Sequence, residues 1–129
     1  MSAHTAPCLR GLDGKGRVVL PVECRAMLNG EAALAPARVG EFRVLLVLTP
    51  TDLHRQQEEA LAGDYHFWSL AAANGAVVPI CRSTGRILIP ELLRDHLGVR
   101  RASNVVIRGH DPVFEILRWA DWKAQMGLP

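Results

Sequence analysis

Leu12-Asp13-Gly14-Lys15-Gly16-Arg17-Val18-Val19-Leu20-Pro21 is the stretch from which the fold can be read. A glycine-punctuated turn leads into three consecutive apolar residues, and a proline stops them. A short β-branched and leucine run bounded by turn signals predicts a strand buried on both faces. Proline cannot donate to a ladder, so the strand ends at Pro21. The same residue suits the first turn of a helix, and a short helix is predicted over 22–28. Glu23 would sit in its first turn, where negative charge suits the helix dipole. Asn29-Gly30 would end it as C-cap residues do.

The same pattern returns 69 residues later as Thr84-Gly85-Arg86-Ile87-Leu88-Ile89-Pro90, followed by a predicted helix over 91–97 that Gly98 ends. Between Gly16 and Asp52 a gapless shift of 69 gives ten identities in 37 positions: Gly16/Gly85, Arg17/Arg86, Pro21/Pro90, Arg25/Arg94, Leu28/Leu97, Ala33/Ala102, Gly40/Gly109, Val44/Val113, Leu48/Leu117 and Asp52/Asp121. Average residue usage would give roughly two or three by chance. The chain therefore carries two tandem copies of one β-α-β unit. The first, with the helix that follows it, spans 1–62. A bridging helix (about 65–73) and the second copy span 63–129.

Each copy closes with another strand, 42–48 in the first and 113–117 in the second. The second copy adds a strand over 104–108 that turns through Gly109-His110-Asp111-Pro112. Helices are predicted to begin at Thr51, running over 52–62, and near Ala120. One copy has too few apolar side chains for a core of its own. Two copies packed about a pseudo-twofold axis would make a small barrel, so the fold class is α+β, duplicated half-barrels with flanking helices.

Composition bounds the rest. The 129 residues are 49% apolar and 22% charged, which is globular. Lys plus Arg is 15 against 13 Asp plus Glu, so the net charge of +2 alone says little about nucleic acid. Three cysteines, Cys8, Cys24 and Cys81, without CxxC spacing predict neither a disulfide framework nor a zinc site, and point to a reducing cytoplasm. Residues 1–10 lack the apolar core of a signal peptide, and no apolar run is long enough to cross a bilayer. The five histidines have no ligand spacing, and no nucleophile-base-acid order, phosphate loop or carboxylate pair stands out. No catalytic residue, metal, cofactor or small-molecule substrate is therefore expected. Trp119 and Trp122, three apart on the last helix, should share one packed face.

The D-x-K-G-R run at Asp13–Arg17, the three apolar residues and Pro21, with the core of that pattern repeated at Gly85–Pro90, resemble the signature of the MraZ family of bacterial transcriptional regulators. AbrB and MazE regulators carry related patterns in single copy. The resemblance covers about Arg10 to Met126. It implies an AbrB-like double-split, swapped-hairpin barrel and ring-shaped homo-oligomers. It also implies binding to repeated promoter-proximal sites on double-stranded DNA, repression of the chain's own division and cell-wall operon, and a place on the nucleoid. The chain departs from the family pattern at Arg82, aligned by the repeat with Asp13, and in a bridging helix without arginines.

Six residues are expected at DNA: Arg10, Lys15, Arg17, Arg25, Arg82 and Arg86. Glycine lets backbone approach phosphate, lysine supplies a point charge, and arginine a planar fork that can grip guanine. Arg17 and Arg25 each admit two readings, a DNA contact or an ion pair with Asp13 or Glu23 that holds the turn; the DNA contact is favoured for Lys15 and Arg17, because the glycine-rich loop needs no such bulk for packing. Asp13 is expected to cap backbone N–H groups. Two rival functions are a protein-binding module of antitoxin type and a ring-forming relative without DNA binding. Antitoxins of that kind use a flexible tail, and here only Gly127-Leu128-Pro129 follow the second copy.

Overall fold

The computed structural model describes residues 4–63, 74–100, 103–110 and 113–129. The predicted bridging helix over 65–73, together with Asp111 and Pro112 of the expected turn, lies outside them. The architecture is α+β: among the described residues there are eight strands in two antiparallel sheets and four helices. The strands are β1 (His4–Gly11), β2 (Arg17–Val19), β3 (Glu31–Val39), β4 (Phe42–Leu48), β5 (Ala76–Pro79), β6 (Arg86–Leu88), β7 (Asn104–His110) and β8 (Val113–Arg118). The helices are α1 (Val22–Met27), α2 (Pro50–Leu61), α3 (Glu91–Leu97) and α4 (Trp119–Gln125).

The two copies are interleaved. The larger sheet has the order β1-β7-β8-β4-β3-β5, so the first strand of each copy pairs with the hairpin of the other. The remaining strands, β2 and β6, form a separate two-stranded ribbon with Arg17 opposite Leu88, Val18 opposite Ile87 and Val19 opposite Arg86. Shifting either member of the outer pairs by 69 gives the other pair, so the pseudo-twofold axis passes between Val18 and Ile87. The β4–β8 pairing, with Leu46 opposite Glu115 at its centre, obeys the same symmetry.

One face of the large sheet, the ribbon, α1 and α3 enclose a single core drawn from both copies, including Val18, Leu20, Cys24, Leu45, Ile87, Ile89, Leu97, Phe114 and Ile116. The other face carries a second cluster of Ala33, Leu46, Val106 and Leu117, with Leu53 of α2 among them and Trp119 and Trp122 of α4 against it. The two indoles stack at 5.1 Å between centroids, the shared packed face expected of that spacing. Helix α3 is fastened to the first copy: His96 Nε2 lies 3.0 Å from the carbonyl oxygens of both Ala37 and Val44. Its counterpart on α1 is Met27, which packs on the core.

Several expectations are corrected. The β2 and β6 runs are buried on one face only: Val18 and Ile87 are inside, while Leu88 is half exposed and Val19 partly so. The first copy has a strand, β3, matching the one expected only in the second. Its sequence Glu31-Ala-Ala-Leu-Ala-Pro36-Ala-Arg-Val39 is poor in β-formers. Pro36 is tolerated because β5 ends its pairing at Leu34, leaving β3 an edge there. Strands β1 and β5 were not expected either; Pro7 sits where the β1 register shifts, between Thr5 and Cys8. Helix α1 ends at an extended Leu28 rather than on a glycine cap, whereas α3 does end on left-handed Gly98. Helix α2 starts at Pro50, one residue before the expected Thr51, with Thr49 Oγ1 accepting from the Asp52 N–H.

Candidate nucleic-acid interface

The ribbon is amphipathic because its period is two. Val18 and Ile87 point into the core, so Arg17, Val19, Arg86 and Leu88 must point away from it. On that outer face the two arginines occupy diagonal corners and the two apolar residues the others. A loop enters the ribbon at each end: Asp13–Arg17 before β2 and Cys81–Arg86 before β6. Each loop is closed by the same pair of backbone bonds. The Asp13 N–H donates to Arg17 O at 2.9 Å and the Gly16 N–H to Asp13 O at 3.0 Å. The Cys81 N–H donates to Arg86 O at 2.9 Å and the Gly85 N–H to Cys81 O at 2.8 Å.

These bonds align Asp13 with Cys81, not with Arg82. The second loop is one residue longer, and a gapless repeat cannot show that. Similarly, Arg10 pairs with Val105 and Val78 with Ala32, which makes Val78, rather than Pro79, the counterpart of Arg10. The register gives Ala33 the counterpart Val106, and the identity Gly40/Gly109 is also coincidental in space. Leu48 faces Ala33, whereas Leu117 faces Val106; Gly40 lies between the hairpin strands, whereas Gly109 pairs within the second hairpin opposite Phe114.

In the first loop Asp13 acts as the expected cap. Its Oδ1 accepts the Lys15 and Arg17 N–H groups at 2.9 Å each, and its Oδ2 accepts Arg17 Nε at 2.7 Å. The Arg17 backbone bond, then the Arg17 side chain and the Lys15 N–H, hold the carboxyl down to about 2 despite some desolvation. The charge-assisted bond uses Nε alone, and the Arg17 side chain remains 40% exposed. Lys15 is exposed beside it.

The second loop holds no carboxylate. Cys81 Sγ lies 3.4 Å from Ser83 Oγ, and Thr84 Oγ1 accepts the Arg86 N–H at 3.2 Å. Hydrogen bonds from the Ser83 and Thr84 side chains, supported by their N–H groups, pull the Cys81 thiol down to about 6. Cys81 is the residue that sequence reasoning missed; counting back from Gly85-Arg86 with an allowance for loop length would have found it. Arg82 and Arg86 are exposed and have no ion pair among the described residues. A cleft of about 290 Å³ joins the two ends of the face, running from Arg17 past Leu88 to Cys81, Thr84 and Arg86.

Four of the six expected residues, Lys15, Arg17, Arg82 and Arg86, are thus gathered on or beside the ribbon's outer face. The other two are not. Arg10 is on β1, half-buried, with Nη1 donating to Leu9 O at 3.2 Å. Arg25 makes neither of its expected ion pairs; it lies against Gly85 of the other copy's loop. Arg94, its repeat partner, lies against Gly16 in the same way.

No protein-family model matches this chain, and no curated protein does. Among the described residues no helix is long and apolar enough to cross a membrane, and no group of three or more His, Cys, Asp or Glu is placed to hold a metal.

Proposed function

We propose that the chain is a DNA-binding transcriptional regulator of the MraZ type, and that the β2–β6 ribbon is its reading element. The observation that carries the reading is the outer face of that ribbon. Two strands related by a pseudo-twofold place Arg17 and Arg86 at diagonal corners, with Lys15 and Arg82 on the flanking loops. The major groove of B-DNA admits a two-stranded ribbon. Arginine is the side chain whose fork fits guanine edges and phosphate alike. Positive charge concentrated on one face gives affinity even where net charge is small.

On this reading the interleaved strands are the double-split, swapped-hairpin barrel of AbrB-like regulators. The chain assembles into rings that engage repeated promoter-proximal sites, and it represses its own division and cell-wall operon on the nucleoid. The test is a gel shift with the double-stranded DNA immediately upstream of its own gene. Binding should fall steeply between 50 and 200 mM salt, as counterion release requires. Several repeats should bind more tightly than one. Equal affinity for that DNA and for an unrelated duplex would overturn sequence-specific regulation. No binding at 50 mM salt would overturn DNA binding itself.

A further inference from the structure

We propose that Arg25 and Arg94 are positioning residues that act crosswise, each seating the loop that belongs to the opposite copy. The inference rests on the ribbon being the reading face only for its effect on DNA; the crossing itself is a matter of geometry. Gly16 and Gly85 both have left-handed backbone, at φ +84° and +74°. A Cβ at Gly16 would stand 2.8 Å from Arg94 Cζ, and one at Gly85 would stand 2.5 Å from Arg25 Nη1. Each guanidinium therefore fills the space a side chain would take.

At the other left-handed glycines no arginine comes this close: at Gly109 the near atom is backbone, Val113 O at 2.7 Å, and at Gly98 the Arg118 and Arg43 guanidiniums stand 3.4 and 3.5 Å off. Gly30, Gly40, Gly63 and Gly127 are also left-handed, and a Cβ on any of them would meet nothing within 4 Å. Backbone bonds complete the crossing. The Ile89 N–H donates to Gly16 O at 3.1 Å and the Leu20 N–H to Gly85 O at 3.0 Å. A short path then runs from α3 through Arg94 and Gly16 to Arg17, and another from α1 through Arg25 and Gly85 to Arg86. The two clamps are unequal. Arg94 Nε donates to Ile89 O at 3.0 Å, whereas Arg25 Nε is buried without a hydrogen-bond partner. Arg94 is the better anchored, and it seats the loop whose arginine is already held by Asp13.

The experiment is amide hydrogen exchange on the full chain, read at two pairs of amides. Gly16 and Ile89 report the first loop, and Gly85 and Leu20 the second. Arg94→Ala should speed exchange at the first pair by about five- to ten-fold and leave the second within about two-fold. Arg25→Ala should do the reverse, with a smaller effect. If either alanine variant does not fold, Arg94→Lys and Arg25→Lys, which keep the charge and lose the planar fork, should give the same crossed pattern more weakly. Acceleration at the opposite pair of amides, or equally at both pairs, overturns the proposal. A DNA readout then tests positioning against mere support. Arg94→Ala should add little to the loss caused by Arg17→Ala and should multiply the loss caused by Arg86→Ala. Independent effects in both backgrounds would overturn it. Should the wild-type chain bind no DNA, the functional reading fails, while the exchange pattern still decides the crossing.

Discussion

The two loops that flank the ribbon share a backbone and differ in almost everything attached to it. Both close with a pair of N–H to carbonyl bonds of nearly equal length, and both take an arginine from the opposite copy onto a left-handed glycine. Yet the first fixes its arginine on a carboxylate, and the second puts a thiol and two hydroxyls in that place. Backbone geometry is the part the pseudo-symmetry needs, since β2 and β6 must meet in one register to close the core. Side-chain chemistry on the outer face is free of that demand. The consequence is entropic. Arg17 is held before any ligand arrives, whereas Arg86 must be ordered on binding, and ordering a long side chain costs about 0.5–1.5 kcal/mol.

The largest contrast should appear in thiol chemistry, which marks the second loop alone. Cys81 is exposed, with its thiol near 6, while burial pushes the Cys24 thiol up to about 12. At pH 7 the difference in thiolate content outweighs the lower nucleophilicity of the more acidic thiol, leaving a factor of at least about 100 in alkylation rate. Mass spectrometry after iodoacetamide should find Cys81 modified well before Cys24, with its rate falling below about pH 6. A Cys81 rate that falls steadily from about pH 9 to pH 7, instead of holding level down to about pH 6, would mean that the Ser83 and Thr84 hydrogen bonds do not form in solution.

Next in size is the inequality of the two arginines toward DNA. Losing a charge-assisted hydrogen bond costs about 1.5–3 kcal/mol, or roughly 10- to 150-fold. Arg17→Ala should fall in that range, and Arg86→Ala at or below its lower end, because part of what Arg86 contributes is spent on ordering it. The affinities of the two variants, measured with oligomer size and melting temperature, check this. A greater loss from Arg86→Ala, with assembly unchanged, reverses the assignment and makes the free arginine the principal reader.

What the sequence disclosed about these loops, and what it hid, follows from the same division. Regular repetition was visible wherever both copies must satisfy one symmetric contact. The ribbon residues Val18 and Ile87, the prolines that end its strands, and the α1 and α3 arginines all align at a constant shift. Legibility failed where a single residue was added without disturbing the core. The extra residue between Cys81 and Arg86 is absorbed in an exposed turn, so the repeat read straight through it and matched Asp13 with Arg82. It failed again where tertiary pairing overrides local propensity. The alanines of β3 have little strand preference, and they become a strand because β4 and β5 satisfy both of its edges over 33–34. The role of Arg25 was hidden for a third reason: its partner, Gly85, lies 60 positions away in the chain and has no side chain to suggest a contact.

A smaller effect separates two glycines within the first loop. Gly16→Ala must place an L-residue in the left-handed region, at about 1–2 kcal/mol, and must also push the Arg94 guanidinium aside. Gly14→Ala meets nothing within 4 Å and should stay within about 0.5 kcal/mol. Urea unfolding of the two variants distinguishes them. Equal stabilities would show that the loop is not held in this conformation.

The smallest effect concerns acid. In the folded chain the Asp13 carboxyl sits near 2, below its ordinary 3.8, because the Arg17 N–H, then the Arg17 side chain and the Lys15 N–H, favour the charged form. A carboxyl depressed by folding stabilises the fold fully above its unfolded value, and that contribution disappears as pH falls through the folded one. The window here runs from about pH 4 down to pH 2. Because the pair is partly exposed, solvent screens it and the contribution is modest. Asp13→Asn keeps an oxygen that can accept the two N–H groups but removes the charge facing Arg17. The wild-type chain should therefore melt above the variant at pH 6, and the two curves should converge as pH approaches 2. Added salt at pH 6 should narrow the gap, since the lost component is Coulombic. The second loop supplies the control. Cys81→Ser leaves every group of the first loop in place, so any change in stability it causes should show no step between pH 4 and pH 2. A wild-type advantage over Asp13→Asn that stays constant down to pH 2 would mean that Asp13 holds its loop through neutral hydrogen bonding alone. The contrast between a charged and an uncharged loop would then have no thermodynamic weight.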